Sequence, residues 1–293
     1  MFFIGLFFMF SKIKQMLSDA HQELVTHNVE TSSYELKLML AHVLKTTVAE
    51  LSLYSHDISQ AQQSQFEQMI QSRIKHMPAD KIIGIRGFYK YDFLVNTDVL
   101  SPRPDTEILL EEALSIIQEK GHTRVLELGV GSGCVITSIL AENKRLQGYG
   151  VDISQPALDV AKKNASWLKV EDRLNLYQKD WFDKDFVNIF ENKFNIIVSN
   201  PPYIPSKEIA ALDEEVKNYD PLYALDGGED GLKSYRQIAI IAPYLLESDG
   251  YILLEVGEGQ AEDVIAIFEK QNFKCEKIVA DLSGINRCIV LKK

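Results

Sequence analysis

Apolar residues change their spacing along this chain, and each change marks a different kind of element. From Ser11 to Met77 they recur every three or four positions, as at Phe66, Met69, Ile70 and Ile74, which predicts a module of about four helices closed by Pro78. Gly84 to Leu100 carries Phe88, Tyr89, Tyr91, Phe93 and Val95 and reads as a β-hairpin linker. Ser101-Pro-Arg-Pro-Asp-Thr-Glu107 then opens a helix, with Pro104 near its first turn and Asp105 and Glu107 at the positive end of its dipole. Beyond Gly121 short apolar runs alternate with helical segments: Arg124–Leu128, Gly148–Val151, Leu174–Tyr177, Phe194–Ser199 and Tyr251–Val256. Such runs are the mark of parallel strands covered on both faces. Lys274–Ala280 and Ile285–Leu291 are joined by four residues only, too few for a parallel crossover, so they form an antiparallel hairpin. The expected fold is therefore α/β, a doubly wound, mostly parallel seven-stranded sheet ending in an antiparallel hairpin, with a small all-helical N-terminal domain. The expected boundaries are 1–80 for the helical domain, 81–100 for the hairpin linker and 101–293 for the α/β domain.

Composition narrows the class of ligand. With 46% hydrophobic and 25% charged residues the chain buries a sizeable core and leaves little room for long disorder. Lys and Arg number 31 against 42 Asp and Glu, and the excess acid lies after Leu100, which weighs against a partner gripped through phosphates. Cys134, Cys275 and Cys288 are scattered and fit neither a disulfide framework nor a zinc site, so a reducing compartment is expected and no metal. The apolar start, Met1 to Phe10, has no preceding positive charge and is too short to span a bilayer. It reads as an extension of the first helix or an upstream start, with Met9 an alternative initiator, and no membrane association is expected.

Two turns at strand ends carry the candidate chemistry. The first is Glu127-Leu128-Gly129-Val130-Gly131-Ser132-Gly133, running from a strand straight into a helix. Its glycines allow a sharp turn and close backbone approach to a ligand. A dinucleotide fingerprint would want a small residue where Cys134 stands, which weakens a nicotinamide or flavin reading. Asp152 ends the next strand, at the distance where an acid accepts from ribose hydroxyls, and Ser154 caps the helix that follows. Glu127 suits a ligand's ammonium group or is a satisfied strand-end acid. Trp181 and Asp180 close a third strand; Trp181 packs on an adenine or serves as a core aromatic, and Asp180 accepts from its amino group. Together these residues favour a nucleoside ligand.

The second turn is Asn200-Pro201-Pro202-Tyr203. Two prolines fix φ and remove two backbone donors, leaving carbonyls as fixed acceptors. The Asn200 side-chain oxygen and the Pro201 carbonyl can each take one hydrogen of an NH₂ group while Tyr203 walls its plane. Accepting both hydrogens favours a pyramidal nitrogen with developing positive charge, so the interaction strengthens in the transition state. All six histidines, His21, His27, His42, His56, His76 and His122, precede the first strand of the α/β domain, which argues against a histidine nucleophile or base there.

These segments resemble the HemK/PrmC protein-(glutamine-N5) methyltransferases. The resemblance spans nearly the whole chain. It rests on Pro102-Arg-Pro-Asp-Thr-Glu107, Glu127–Gly133, Val151-Asp-Ile-Ser154, Asp180-Trp-Phe182, Val198–Ile204, Tyr219-Asp-Pro221, Gly227-Gly-Glu-Asp-Gly-Leu232, Tyr235-Arg236 and Asp281-Leu-Ser-Gly284. Asn-Pro-Pro-Tyr alone is shared with adenine and guanine N-methyltransferases; the 102–107 and 227–232 segments are more specific. The chain departs from the family pattern in having Glu127 where Asp is common and in its apolar start.

The resemblance implies a class I methyltransferase fold over 101–293 that uses S-adenosylmethionine, bound at Glu127, Gly129, Val130, Gly131, Ser132, Gly133, Asp152, Trp181 and Asn200. It implies an acceptor glutamine at Asn200, Pro201, Pro202 and Tyr203, in the Gly-Gly-Gln motif of class I peptide chain release factors. The 1–80 domain would help to recognise that protein, and a cytoplasmic monomer that binds no nucleic acid is expected. Arg103 and Asp105 are read as bracing the linker. The alternatives are an N-methyltransferase acting on an exocyclic amino group of adenine or guanine in RNA or DNA, and a cofactor-binding regulatory module without activity.

Overall fold

The computed structural model describes residues 2–293, with side chains from Lys12 onward. The readings made for Met1–Phe10 therefore concern side chains outside the described residues. Two compact units divide at Gly84/Ile85.

The first unit is helical: α1 (Phe2–Thr26), α2 (Ser33–Leu44), α3 (Gln60–Ile74) and α4 (Ala79–Ile83), with a single 3₁₀ turn at Glu50–Leu53. Ser32 with Glu35 starts α2 and Ser59 with Gln62 starts α3, each by a reciprocal capping box. The stripe predicted on α3 is inward: Phe66, Met69 and Ile70 are buried with Leu24, Met39 and Leu40 in one core. Pro78 does not simply end the segment. It stands at the N-cap of α4, where its fixed φ and missing N–H cost nothing.

The second unit opens with a hairpin, β1 (Ile85–Phe88) and β2 (Tyr91–Leu94), followed by α5 (Thr106–Lys120). Phe88 and Phe93 from the hairpin are buried in the same core as Leu109 and Leu110 of α5. The α/β elements follow: β3 (Arg124–Leu128), α6 (Cys134–Glu142), β4 (Gln147–Asp152), α7 (Gln155–Trp167), β5 (Leu174–Gln178), β6 (Phe194–Ser199), α8 (Glu214–Tyr219), α9 (Lys233–Leu245), β7 (Leu246–Glu255), α10 (Ala261–Glu269), β8 (Lys274–Ala280) and β9 (Asn286–Lys292). The sheet order is β5-β4-β3-β6-β7-β9-β8, parallel through β7 and antiparallel at β9 and β8. This is the seven-stranded, doubly wound sheet with a terminal antiparallel hairpin that the patterning predicts.

The continuous apolar runs have a simple cause: alternate residues of each strand enter opposite cores. Val125, Ile196, Val198 and Leu253 face one core, and Leu126, Ile197, Ile252 and Leu254 face the other. Gly150 on β4 is obligatory in this packing, because a Cβ there would meet Val130 at 2.6 Å and Leu176 at 2.8 Å. One strand differs from expectation. β7 begins at Leu246, not Tyr251, and the pairing with β6 slips between Phe194 and Ile196. Glu247, Ser248 and Asp249 are exposed and, with buried Gly250, form the irregularity between the paired residues Leu246 and Tyr251. Among the described residues no helix is long and apolar enough to cross a membrane.

Candidate active site

The chain leaves β3 toward β4 and leaves β6 toward β7, so the two connections part and open a crevice at the carboxyl edge of the sheet. Both candidate turns sit there. Ser199 Oγ donates to the Leu128 carbonyl at 2.6 Å, tying the ends of β3 and β6 together. A Cβ on Gly129 would lie 3.9 Å from the Asn200 carbonyl oxygen. The crevice holds a cavity of about 590 Å³, within the roughly 300–1,000 Å³ of small-molecule sites.

Of the residues predicted from sequence, Glu127, Gly129, Val130, Gly131, Ser132, Asp152, Trp181, Asn200 and Pro202 line this cavity. Gly133, Pro201 and Tyr203 are not among the lining residues. Gly129, Gly131 and Gly133 all have positive φ, which lets the loop fold back sharply. Gly131 has open space where a Cβ would stand, whereas a Cβ on Gly133 would press on Ala161 at 3.0 Å. Gly133 thus lets α6 pack against α7.

Asp152 Oδ2 accepts from the Gly131 N–H at 2.8 Å, and Oδ1 accepts from the Ser154 N–H at 2.9 Å. The carboxylate is nearly buried, and burial raises its pKa against those backbone hydrogen bonds. Each oxygen keeps a lone pair, enough to receive ribose hydroxyls. Glu127 is fully enclosed, its Oε2 accepting from the Ile136 N–H at 3.0 Å, and burial drives its pKa well up. Asp180 spends Oδ1 on the Phe182 N–H at 2.9 Å. Trp181 edges against Gly129, 3.4 Å from the position of a Cβ there, and its buried Nε1 has no hydrogen-bond partner among the described residues. A buried donor without a partner on a cavity wall suits a ligand that brings an acceptor. The site thus offers an acid for a ribose, an aromatic wall with a donor for a base, and bare glycine backbone, a donor set that fits an adenosyl group.

Opposite the glycine loop stands Asn200. Its Nδ2 donates to Thr106 Oγ1 at 3.2 Å, and Thr106 Oγ1 donates in turn to Glu255 Oε2 at 2.6 Å. Its Oδ1 has no donor among the described residues. The rest of the turn is held from behind. Gln260 Nε2 donates to the Tyr203 carbonyl at 3.0 Å, and a Cβ on Gly227 would strike Tyr203 Cα at 2.7 Å. Main-chain bonds of 3.0 Å from Ile204 N–H to Leu225 O and 2.8 Å from Gly227 N–H to Ile204 O complete the clamp. Burial pushes the Tyr203 phenol up to about 12, so it stays neutral. Arg103 pairs with Asp220 at 3.3 Å and Asp105 with Arg287 at 3.1 Å, ion pairs that brace the segment before α5. Arg103 also lines the cavity.

Sequence reasoning missed Thr106, Glu255 and the wall formed by Leu222 and Tyr223. Glu255 had a visible signal, an acid at the end of a buried apolar strand, as Glu127 is near the end of β3. Leu222 and Tyr223 come from a short 3₁₀ turn with no periodic signature.

Residues 15–84 match the model of the PrmC N-terminal domain, and residues 104–216 match that of the methyltransferase small domain. A release factor glutamine methyltransferase of Rhodospirillum rubrum is 39% identical over 90% of this chain and 80% of its own length. The enzyme of the same name from Agrobacterium fabrum is 36% identical over 94% and 95%. That of Thermodesulfovibrio yellowstonii is 37% identical over 88% and 92%. Among solved structures, a methyltransferase of Pyrococcus furiosus superposes with a TM-score of 0.52 over 76% of this chain and 97% of its own, at 16% identity, a likeness of fold alone.

Proposed function

Because this chain belongs to the release factor glutamine methyltransferase family, we propose that its sheet-edge cavity holds S-adenosylmethionine and that Asn200 presents a release-factor glutamine to it. The acceptor is the side-chain amide nitrogen of the glutamine in a Gly-Gly-Gln motif. The observation that carries this reading is Asn200 itself: its NH₂ is engaged by Thr106, so its Oδ1 is left for a donor arriving through the cavity.

When bound, S-adenosylmethionine supplies a methyl group already activated on a sulfonium. The protein's task is to prepare the nitrogen. An amide lone pair is delocalised into its carbonyl, and planarity protects it from attack. Asn200 Oδ1 and the Pro201 carbonyl each accept one N–H, which localises the lone pair on nitrogen and directs it into the cavity. The prolines fix the backbone of the turn, and with it the Pro201 carbonyl, before the substrate arrives. With the cofactor bound, the N–C bond would form as the methyl–sulfur bond breaks and its electron pair leaves on sulfur, and the nitrogen would give up one hydrogen as a proton to solvent. Asp152 would hold the ribose hydroxyls and Trp181 would lie against the base.

Labelled cofactor incubated with this protein and either a release factor or total RNA and DNA tests the assignment. Label is expected in the release factor; label confined to nucleic acid would establish the exocyclic-amine alternative instead. Asp152→Ala is expected to weaken cofactor binding at least about tenfold in calorimetry, because a buried charged acceptor of two backbone donors is lost. Unchanged affinity would remove Asp152 from the site. The helical unit of residues 1–84 is proposed to recognise the body of the release factor. Three free cysteines accord with a reducing, cytoplasmic setting.

A further inference from the structure

Glu255 is a carboxylate with 2% of its surface exposed, and the chemistry derived above makes no use of it. It ends β7, two strands along from the glycine loop, and Thr106, 149 residues away, donates to it at 2.6 Å. Tyr235 Oη closes the same corner by donating to the Glu255 main-chain carbonyl at 2.8 Å. A buried carboxylate is expensive unless its partners need it.

A threonine hydroxyl has one hydrogen. Spent on an acceptor-only carboxylate, it leaves Oγ1 with lone pairs alone, and these can face only a donor. The Asn200 carboxamide must then turn its NH₂ toward Thr106, as the 3.2 Å contact records, and its oxygen toward the cavity. The two orientations of an amide differ little in shape, so packing alone selects poorly between them. The hydrogen-bond direction selects strongly.

We propose that Thr106 and Glu255 are positioning residues that set the orientation of the Asn200 carboxamide and so keep Oδ1, not Nδ2, facing the acceptor nitrogen. The proposal rests on the reading of Asn200 as the acceptor of a substrate N–H. The reversed amide would point a donor at an NH₂ and could not hold it.

The relay has a protonation state in which it fails. Burial raises the Glu255 carboxyl to about 7, opposed by hydrogen bonds from Thr106 and from the Asn200 side chain, whose NH₂ thus faces the carboxylate as well as Thr106. The charged and titratable groups around it are Asp105 at the start of α5, Arg287 on β9, Tyr203 in the proline turn, Tyr235 on α9, Cys134 on α6 and Cys288 on β9. Asp105 and Arg287 act in opposite senses and pair with each other at 3.1 Å. The tyrosines and buried thiols, raised by burial, stay neutral through the range where the carboxyl titrates. Above its pKa Glu255 only accepts, and the relay holds. Below it, Glu255 can donate to Thr106, whose own hydrogen then turns to Asn200 and admits the reversed amide.

The test uses the full chain, a release factor as acceptor, and kcat measured between about pH 5 and 9. Wild type is expected to lose kcat on an acid limb centred near the Glu255 titration. Glu255→Gln, which can donate as the protonated acid does, is expected to lower kcat at least about tenfold and to lack that limb. Thr106→Val is expected to lose a similar factor, Thr106→Ser to recover to within about threefold, and cofactor affinity to stay within about threefold in all three. That last measurement separates misorientation from misfolding. Full activity in Thr106→Val, or an acid limb retained in Glu255→Gln, overturns the relay. Asn200→Ala, assayed alongside, tells which statement has failed: if it is inactive while Thr106→Val is not, the relay falls and the role of Asn200 stands. If both are active, the reading beneath it falls too.

Discussion

Asn200→Ala is expected to lower kcat on the order of 100-fold or more with release factor as acceptor, while the protein stays folded. The loss is expected to be large because the substituted atom is proposed to act where charge develops. Asn200 Oδ1 gains little from the planar ground-state amide and more from the pyramidal nitrogen forming under attack, so its removal appears in kcat and not in substrate affinity alone. The Pro201 carbonyl remains, so some positioning survives. Alanine keeps the backbone of the turn and leaves Thr106 with water in place of the carboxamide. Steady-state assays that separate kcat from KM check the expectation; a variant within about threefold of wild type would show that the oxygen is a bystander.

The second large effect is expected at a glycine outside the cavity wall. Gly231 has φ of +76°, and a Cβ there would lie 2.4 Å from the Tyr203 carbonyl oxygen and 2.6 Å from Gln260 Nε2. Neither neighbour can yield independently, since Gln260 Nε2 donates to that same carbonyl. Gly231→Ala therefore pays about 1–2 kcal/mol of left-handed backbone strain and must also push the proline turn away from its clamp. A fall in melting temperature of roughly 4 °C or more and a loss of kcat of at least about tenfold are expected. Gly121→Ala is the control. Gly121 has φ of +68° at the C-cap of α5, with no atom within 4 Å of a Cβ position, so it carries the strain without the collision and should keep its activity. If both variants lose only stability, the turn does not depend on the Gly227–Leu232 loop.

The contrast between those glycines shows what a sequence can and cannot disclose. The apolar runs at Arg124–Leu128 and Phe194–Ser199 announce strands because both faces of each are buried, and burial is a local demand on residue type. The short link at residues 281–284 announces a hairpin for a similar local reason. Positive-φ glycines between Gly129 and Gly133 mark a turn, yet their spacing does not say that Gly131 faces a cavity while Gly133 serves packing against Ala161. The start of β7 was hidden because Leu246, which pairs with Phe194, is followed by Glu-Ser-Asp-Gly, a turn-like composition inside a strand whose register resumes at Tyr251.

At the site, the residues that touch the cavity through local motifs were legible: Gly129, Asp152, Trp181 and Asn200 all stand at or just beyond strand ends. Tyr203 packs against Gly257, where a Cβ would lie 3.0 Å from its ring, a tertiary contact that its place in the proline turn does not announce. The Thr106–Glu255 contact joins positions 149 apart in the chain, and no periodicity encodes it. Only the sheet order, which sets β7 beside β6, brings that acid to the Asn200 side chain.

A structure of the protein with demethylated cofactor and a Gly-Gly-Gln peptide reads the direction of hydrogen bonding at Asn200 directly. The account predicts the glutamine nitrogen about 3 Å from both Asn200 Oδ1 and the Pro201 carbonyl, at the cavity mouth facing Gly129. A glutamine whose carbonyl oxygen instead accepts from Asn200 Nδ2, or whose side chain lies away from the sheet edge, would contradict it.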